Sequence, residues 1–312
     1  HDALPIFYGV YMYSGSIGNT VGGNSTLNEG NVISGNMAGI VAAGNTTVQG
    51  NRIGTNAAGT AAIANTNEGI SLEGSNSLIG GLSNGQGNLI SGNGQDGILL
   101  NNASTNTIVG NLIGTDAAGT ADLGNSNDGI DLNGTCSNNT IGGSAAGARN
   151  IISGNNDSGI RLRSTAGNNS IVGNQIGTNL TGTTAIGNSW HGVILENSAA
   201  SNTIGGTTTA HGNVISGNGQ DGIRVLDNSN NTTILSNIIG LGADGATDLG
   251  NGNDGVELRT DGNIVGAVGS GNIISGNSDD GIEINASSTN PQFHGNRIGT
   301  LKALIRRAKL LL

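Results

Sequence analysis

The sequence predicts an all-β chain wound as a right-handed, single-stranded parallel β-helix, a solenoid of about nine to ten coils with three short strands in each. Three observations predict it: a repeat of about 60 residues, three β-branched pulses in each half of that repeat, and a glycine-rich, aromatic-poor composition. Apolar residues reach only 34%, against roughly 45–50% in ordinary domains, which is too few for one large globular core. Charged residues at 10% lack the signature of a disordered, charge-rich chain. The 58 glycines follow no Gly-X-Y period and there are only 2 prolines, which excludes collagen.

The long repeat is carried by Asn31-Val32-Ile33-Ser34-Gly35-Asn36, which returns at Asn88, Asn150, Asn213 and Asn272. Ile-Gly-Thr at Ile53, Ile113, Ile176 and Ile298, with Ile239-Gly240-Leu241 in the same slot, marks the second half of each repeat. A Gly-Ile-x-Leu pulse follows once per coil, with its first apolar residue at Ile40, Ile70, Ile98, Ile130, Ile160, Val193, Ile223, Val256 and Ile282. A further pulse after Asn places Val48, Ile79, Ile108, Ile141, Ile171, Ile204, Ile234 and Ile264 in one column. Apolar residues alternate within each pulse, the period of a strand with one face buried. Gly and Asn punctuate the strands because sharp corners need positive φ, which these residues tolerate best.

Three strands and three corners per unit wind into a coil whose strands pair with those of the coils on either side, about 4.8 Å away. The crossover rule for parallel strands makes the winding right-handed. Leucine-rich repeats offer one strand per repeat rather than three, and no six-residue period or calcium-binding nonapeptide is found. The solenoid is expected over 16–300. Residues 1–15, with Phe7, Tyr8, Tyr11 and Tyr13, are an N-terminal cap or a foreign segment. Residues 301–312, with the helix-spaced stripe Leu301, Leu304, Ile305, Ala308 and Leu312, are an amphipathic cap or a foreign tail.

The repeats Asn-x-Ile-Ser-Gly-Asn, Gly-Ile-x-Leu and Asn-Thr-Ile-x-Gly resemble those of right-handed parallel β-helix proteins of the pectin-lyase-like superfamily, over about residues 16 to 300. The resemblance implies an extracellular or cell-surface location in a bacterium. The chain opens on His1 without a secretory signal, which reads as a fragment or processed form. No apolar run approaches the roughly 20 residues of a membrane span. The net charge of −10 disfavours nucleic acid as a partner. Cys136, the single cysteine, reads as a small half-buried thiol.

On each Gly-Ile-x-Leu strand the residues flanking the second apolar one are expected to face solvent, giving two ladders. Four of the seven arginines before the tail fall there, together with carboxylates. Asp131, Arg161, Arg163, Glu196, Arg224, Glu257, Arg259 and Glu283 therefore form the candidate glycan-contact face. Forked guanidinium groups suit carboxylates, and Asp or Asn suits sugar hydroxyls. The competing expectation is ion pairing along each ladder: Asp131 with Arg161, Arg163 with Glu196, Arg224 with Glu257. Trp190, the only tryptophan, breaks the repeat beside His191 and joins the candidate face as a stacking surface.

The residue before each strand glycine forms another ladder, in which Asp221, Asp254 and Asp280 are candidate calcium ligands, against the alternative that they cap their own turns. Asp116, Asp122, Asp244 and Asp248 raise the same question. No cofactor is required by the sequence, and calcium is the one that these ladders would admit. The resemblance to pectate-lyase-like enzymes implies calcium on carboxylates and a basic side chain, for which Arg161, Arg163, Arg224 and Arg259 are the bases on the face. Polygalacturonase-like enzymes are matched at Asp279-Asp280-Gly281. Their Gly-His-Gly is met only by Trp190-His191-Gly192, and their Arg-Ile-Lys only by Arg297-Ile298-Gly299.

Two functions follow. The first is a non-catalytic secreted or surface β-helix module, serving as a rigid spacer or as a polysaccharide-contacting surface within a longer protein. The alternative is a polysaccharide lyase or glycoside hydrolase acting on an acidic polysaccharide. Catalytic residues and oligomeric state are not assigned.

Overall fold

Alternation in Gly-Ile-x-Leu sends Ile and Leu inward on every coil, and the computed structural model, which describes residues 6–145 and 147–299, shows them stacked. Ile40, Ile70, Ile98, Ile130, Ile160, Val193, Ile223 and Val256 are all fully buried in one core cluster. Register is residue for residue: Ile98 pairs with Ile70 on one side and Ile130 on the other, and Ile130 pairs with Ile160. The chain makes three ten-stranded parallel sheets, each strand hydrogen-bonded to its equivalents three strands before and after. The fold is thus the predicted right-handed parallel β-helix, with ten coils. Among the described residues no helix is long and apolar enough to cross a membrane.

One position in the second sheet departs from expectation. Its inward column is Val48, Ile79, Ile108, Ile141, Ile171, Ile204, Ile234 and then Val265, whereas Ile264 pairs with Thr233 on the outward side. Neighbouring residues on a strand face opposite ways, so a shift of one exchanges core for surface. Ile264 and Val265 are both β-branched, and only coil-to-coil register separates them.

Asparagine proves to have two separate jobs. Asn45, Asn102 and Asn138 have positive φ at corners, as expected. A second set is stacked, and buried except at the ends of the solenoid. At the corner between the second and third sheets the series Asn31, Asn51, Asn88, Asn111, Asn150, Asn174, Asn213, Asn237, Asn272 and Asn296 runs through all the coils, each Oδ1 accepting from the backbone N–H and Nδ2 of its predecessor. A parallel stack runs from Asn36 through Asn65, Asn93, Asn125, Asn155, Asn188, Asn218 and Asn251 to Asn277. These amides satisfy backbone groups at corners that the sheets leave unpaired.

The 60-residue period has a structural cause. Corners between the third and first sheets carry a long loop only on alternate coils, at residues 56–62, 116–122, 179–185 and 242–248, each closed by an antiparallel bridge. These loops stack on one another: the N–H groups of Ala117, Leu180 and Ala243 donate to the carbonyls of Gly59, Gly119 and Gly182 at 2.9, 2.8 and 2.8 Å. Gly59 has φ +70°, and a Cβ there would meet Leu89 at 2.6 Å and Ala117 at 2.7 Å, so the residue is required by both conformation and contact.

Tyr8–Tyr11 is the first strand of the first sheet, paired with Ala38–Ala42. Residues 1–5 and 300–312, including the proposed C-terminal stripe, lie outside the described residues. Cys136 is buried rather than half-buried, and burial raises its thiol pKa.

Candidate functional site

The first sheet, built from the Gly-Ile-x-Leu strands, does bring the charged candidates together, with Arg161, Arg224, Glu257 and Glu283 in one register column. The expectation that both ladders are open to solvent is corrected. Asp131 is 0% exposed and Glu257 1%, because arginines from the neighbouring column fold back over them.

The pairing also differs from expectation in two of three cases. Arg163 donates to Asp131, with Nη2 at 2.6 Å and Nε at 3.1–3.2 Å from the two oxygens. Arg161 instead reaches Glu196, its Nε donating at 2.8 Å, and its Nη1 lies 3.8 Å from Asp128 and 4.0 Å from Asp157. Pairs form diagonally between the two ladders because a guanidinium is long enough to cross both one coil and one strand position. Arg224 does pair with Glu257, Nε to Oε2 at 2.8 Å. Arg259 takes the other oxygen of Glu257 through its Nε, so one buried carboxylate serves two arginines. Both Arg161 and Arg163 are held above the ordinary arginine range by these carboxylates. Glu283 continues the column, half-buried, beside Glu257.

These contacts rank the residues energetically. Arg163→Ala strands Asp131 in the interior and is expected to cost about 2–3 kcal/mol. Arg259→Ala, at a side chain 40% exposed, leaves Glu257 with Arg224 and is expected to cost under about 1 kcal/mol. Urea denaturation of the two variants checks the order; equal losses would contradict the pairing.

From Asp96 to Asp254 the ladder before the strand glycine is buried, and its carboxylates cap the next coil rather than their own turns. Asp96, Asp128, Asp221 and Asp254 each cap the next coil. Asp96 Oδ1 accepts from the backbone N–H of Asp128 at 3.0 Å and from Asn127 Nδ2 at 2.6 Å, and Asp128 Oδ1 accepts from Ser158 N–H at 2.9 Å. Asp221 Oδ1 accepts from Asp254 N–H at 3.1 Å, and Asp254 Oδ1 from Asp280 N–H at 2.8 Å. Burial is the main cause that lifts Asp96 and Asp254 to about 6 and Asp128 well above the ordinary carboxylate range. Asp131 is also raised by burial, which its Arg163 contacts only partly offset.

The three calcium candidates do not form a metal cradle. Asp221 and Asp254 spend Oδ1 on the next coil, and Asp280 is exposed. Among the described residues no three His, Cys, Asp or Glu side chains converge as a metal group. The loop acids likewise close their own turns: Asp116 Oδ1 accepts from Thr120 and Ala121 N–H, as Asn56 and Asn179 do at equivalent positions with the residues of their own loops. Interchange of Asp and Asn there shows a need for an acceptor oxygen rather than a charge. Asp122 and Asp244 also accept from N–H groups two or three residues on.

His191 interrupts the carboxylate ladder. It is buried, with Nδ1 3.2 Å from Asp221 Oδ2 and Nε2 3.4 Å from Arg224 Nη1. The backbone N–H of Asp221 also points at Nδ1, at 3.2 Å, so the ring bridges the Asp221 turn and the Arg224 guanidinium. The contact with His191 helps to hold Asp221 below the ordinary carboxylate range against its burial. Trp190 stands beside it at 54% exposure, its ring edge-on to the imidazole at 5.9 Å. The face therefore combines partly exposed, carboxylate-anchored arginines, covered carboxylates and one exposed indole.

No family model matches the sequence, and no curated protein matches it. Among solved structures the chain is similar in fold to the periplasmic alginate epimerase AlgG, at 16% identity and TM-score 0.51, covering 88% of this chain and 52% of that one. A mutant of AlgG gives TM-score 0.54 at 16% identity, covering 83% and 51%, and a double mutant gives 0.54 at 15%, covering 88% and 52%. The chain thus spans about half the length of these AlgG chains.

Proposed function

We propose that this β-helix acts on an acidic polysaccharide that lies along the outer face of the first sheet. The observation that carries the reading is the arginine set of that face, Arg161, Arg163, Arg224 and Arg259, held in register with Trp190 at its edge. Protein carboxylates take Nε and Nη2 of Arg161 and Arg163 and Nε of Arg224 and Arg259, and His191 faces Nη1 of Arg224. Nη1 of Arg163, Nη2 of Arg224 and both terminal nitrogens of Arg259 are left to meet sugar carboxylates, which a guanidinium recognises through charge-assisted hydrogen bonds. The exposed indole supplies a surface on which a sugar ring stacks.

Of the two functions, the enzyme has the better support, because the solved structures of similar fold are epimerases of alginate, a polyuronate. Such a face would assist by pairing arginine with a uronate carboxylate, which stabilises negative charge that develops on it. The buried His191 orients Arg224 in this scheme rather than touching the polymer. Extracellular or periplasmic placement goes with the same reading.

The test is incubation with polyuronates, followed by assays for unsaturated uronate, new reducing ends and altered uronate stereochemistry, with binding measured in parallel. Turnover that Arg224→Ala reduces at least about a hundredfold, with the melting point retained, is the expected result. Binding without turnover would return the chain to the module reading, and neither binding nor turnover would reject the face.

A further inference from the structure

We propose a second binding site, away from the first sheet, for an elongated aliphatic carboxylate. The third sheet runs along the floor of a trough. One wall is the stack of long loops at 56–62, 116–122 and 179–185; the other is formed by long corner loops on the alternate coils, where Ser25 N–H donates to Gly85 O at 2.8 Å. Where the walls part they leave a cleft of about 460 Å³.

Its floor is the outward column of the third sheet, Arg52, Leu89, Leu112 and Ile151 in consecutive register. Leu82 on one wall and Leu180 on the other line it as well, and both are about half exposed, at 54% and 51%. Arg149, two residues before Ile151, completes the far end. Arg52 and Arg149 thus bracket three coil steps, about 14 Å at the spacing of parallel strands.

Charge separates this cleft from the first sheet. There every arginine has a carboxylate within ion-pair distance. Here, among the described residues, no Asp or Glu lines the cleft, Arg52 makes no ion pair, and Arg149 uses only Nε, donating to Gly173 O at 3.1 Å. Two arginines with open guanidinium edges at the ends of a leucine-lined channel, in a chain of net charge −10, call for a ligand that brings its own negative charge. The leucines call for an apolar body between the charged ends. No aromatic side chain lines the cleft for stacking on a sugar. The combination fits a linear aliphatic acid, best with a carboxylate at each end.

Isothermal titration of the whole chain with decanedioate, decanoate and decanol tests this. One saturable site is expected, tightest for decanedioate and undetectable for decanol. Arg52→Gln and Arg149→Gln should each weaken decanedioate about tenfold, the loss of a charge-assisted hydrogen bond. Their melting points should be unchanged, and Arg224→Gln on the first sheet should bind as wild type does. Equal binding of decanol and decanoate, indifference to both arginine substitutions, or no binding would overturn the proposal, as would a uronate oligomer that binds here when the aliphatic acids do not. Because the variants lie off the first sheet, failure here leaves polysaccharide binding there intact, and the reverse.

Discussion

Asn111→Ala is expected to lower the unfolding free energy by about 3–5 kcal/mol, although it removes no apolar atom from the core. The Asn111 side chain sits in the middle of the longest amide stack. Its Nδ2 donates to Asn150 Oδ1 and to Ile79 O, each at 3.0 Å, and its Oδ1 accepts from the backbone N–H and Nδ2 of Asn88 at 3.0 and 2.9 Å. Alanine leaves donors on Asn88 and the Ile79 carbonyl buried without partners, at about 1–3 kcal/mol for each stranded group. Asp at this position cannot restore the donors and adds a buried charge. Asn84→Ala, at an exposed loop position, should stay within about 0.5 kcal/mol of wild type. Urea denaturation checks both; similar midpoints for the two variants would show that the stack contributes little.

Asp96→Asn is expected to stabilise the fold at neutral pH, by about 2–3 kcal/mol. The folded carboxyl titrates at about 6 instead of 3.8, chiefly through burial and then through the charge of Asp131, and each pH unit of difference is worth about 1.4 kcal/mol. Between about pH 4 and 6 the folded chain therefore holds a proton that the unfolded chain has released. Stability from this group falls as pH rises through that window and is flat above it. Asp254, also at about 6 mainly through burial, adds to the same slope. Asparagine keeps an acceptor for Asp128 N–H and Asn127 Nδ2 and has no charge to desolvate. The gain should appear at pH 7 and vanish at pH 4. A variant equally or less stable than wild type at pH 7 would contradict the assignment. Asp221 acts the other way: its lowered pKa gives stability that is lost as pH falls below the ordinary carboxylate range.

The core was readable from sequence because Gly-Ile-x-Leu alternates with period two and returns once per coil, which determines both facing and stacking. Val265 was missed for the adjacent Ile264 because two β-branched residues in succession carry no facing information. Sequence does not separate the buried asparagines from the corner residues Asn45 and Asn102, since the same letter serves both. Recurrence of Asn51, Asn88 and Asn111 immediately before the third strand was the available signal. On the candidate face, membership followed from register, as for Arg224 and Glu257. Burial of Asp131 and its diagonal partner Arg163 did not, because they depend on how a long side chain folds across two columns. The arginine-lined cleft joins residues from separate coils and loops, such as Arg52, Leu82 and Leu180, which no short motif connects.

Trp190 offers the most direct test of the polysaccharide face, since it is the chain's single tryptophan and borders the arginines. Titration with a polyuronate should shift its fluorescence saturably, a neutral polymer of the same length should not, and Arg224→Ala should weaken the response. An emission spectrum unchanged at saturating polyuronate would contradict the account.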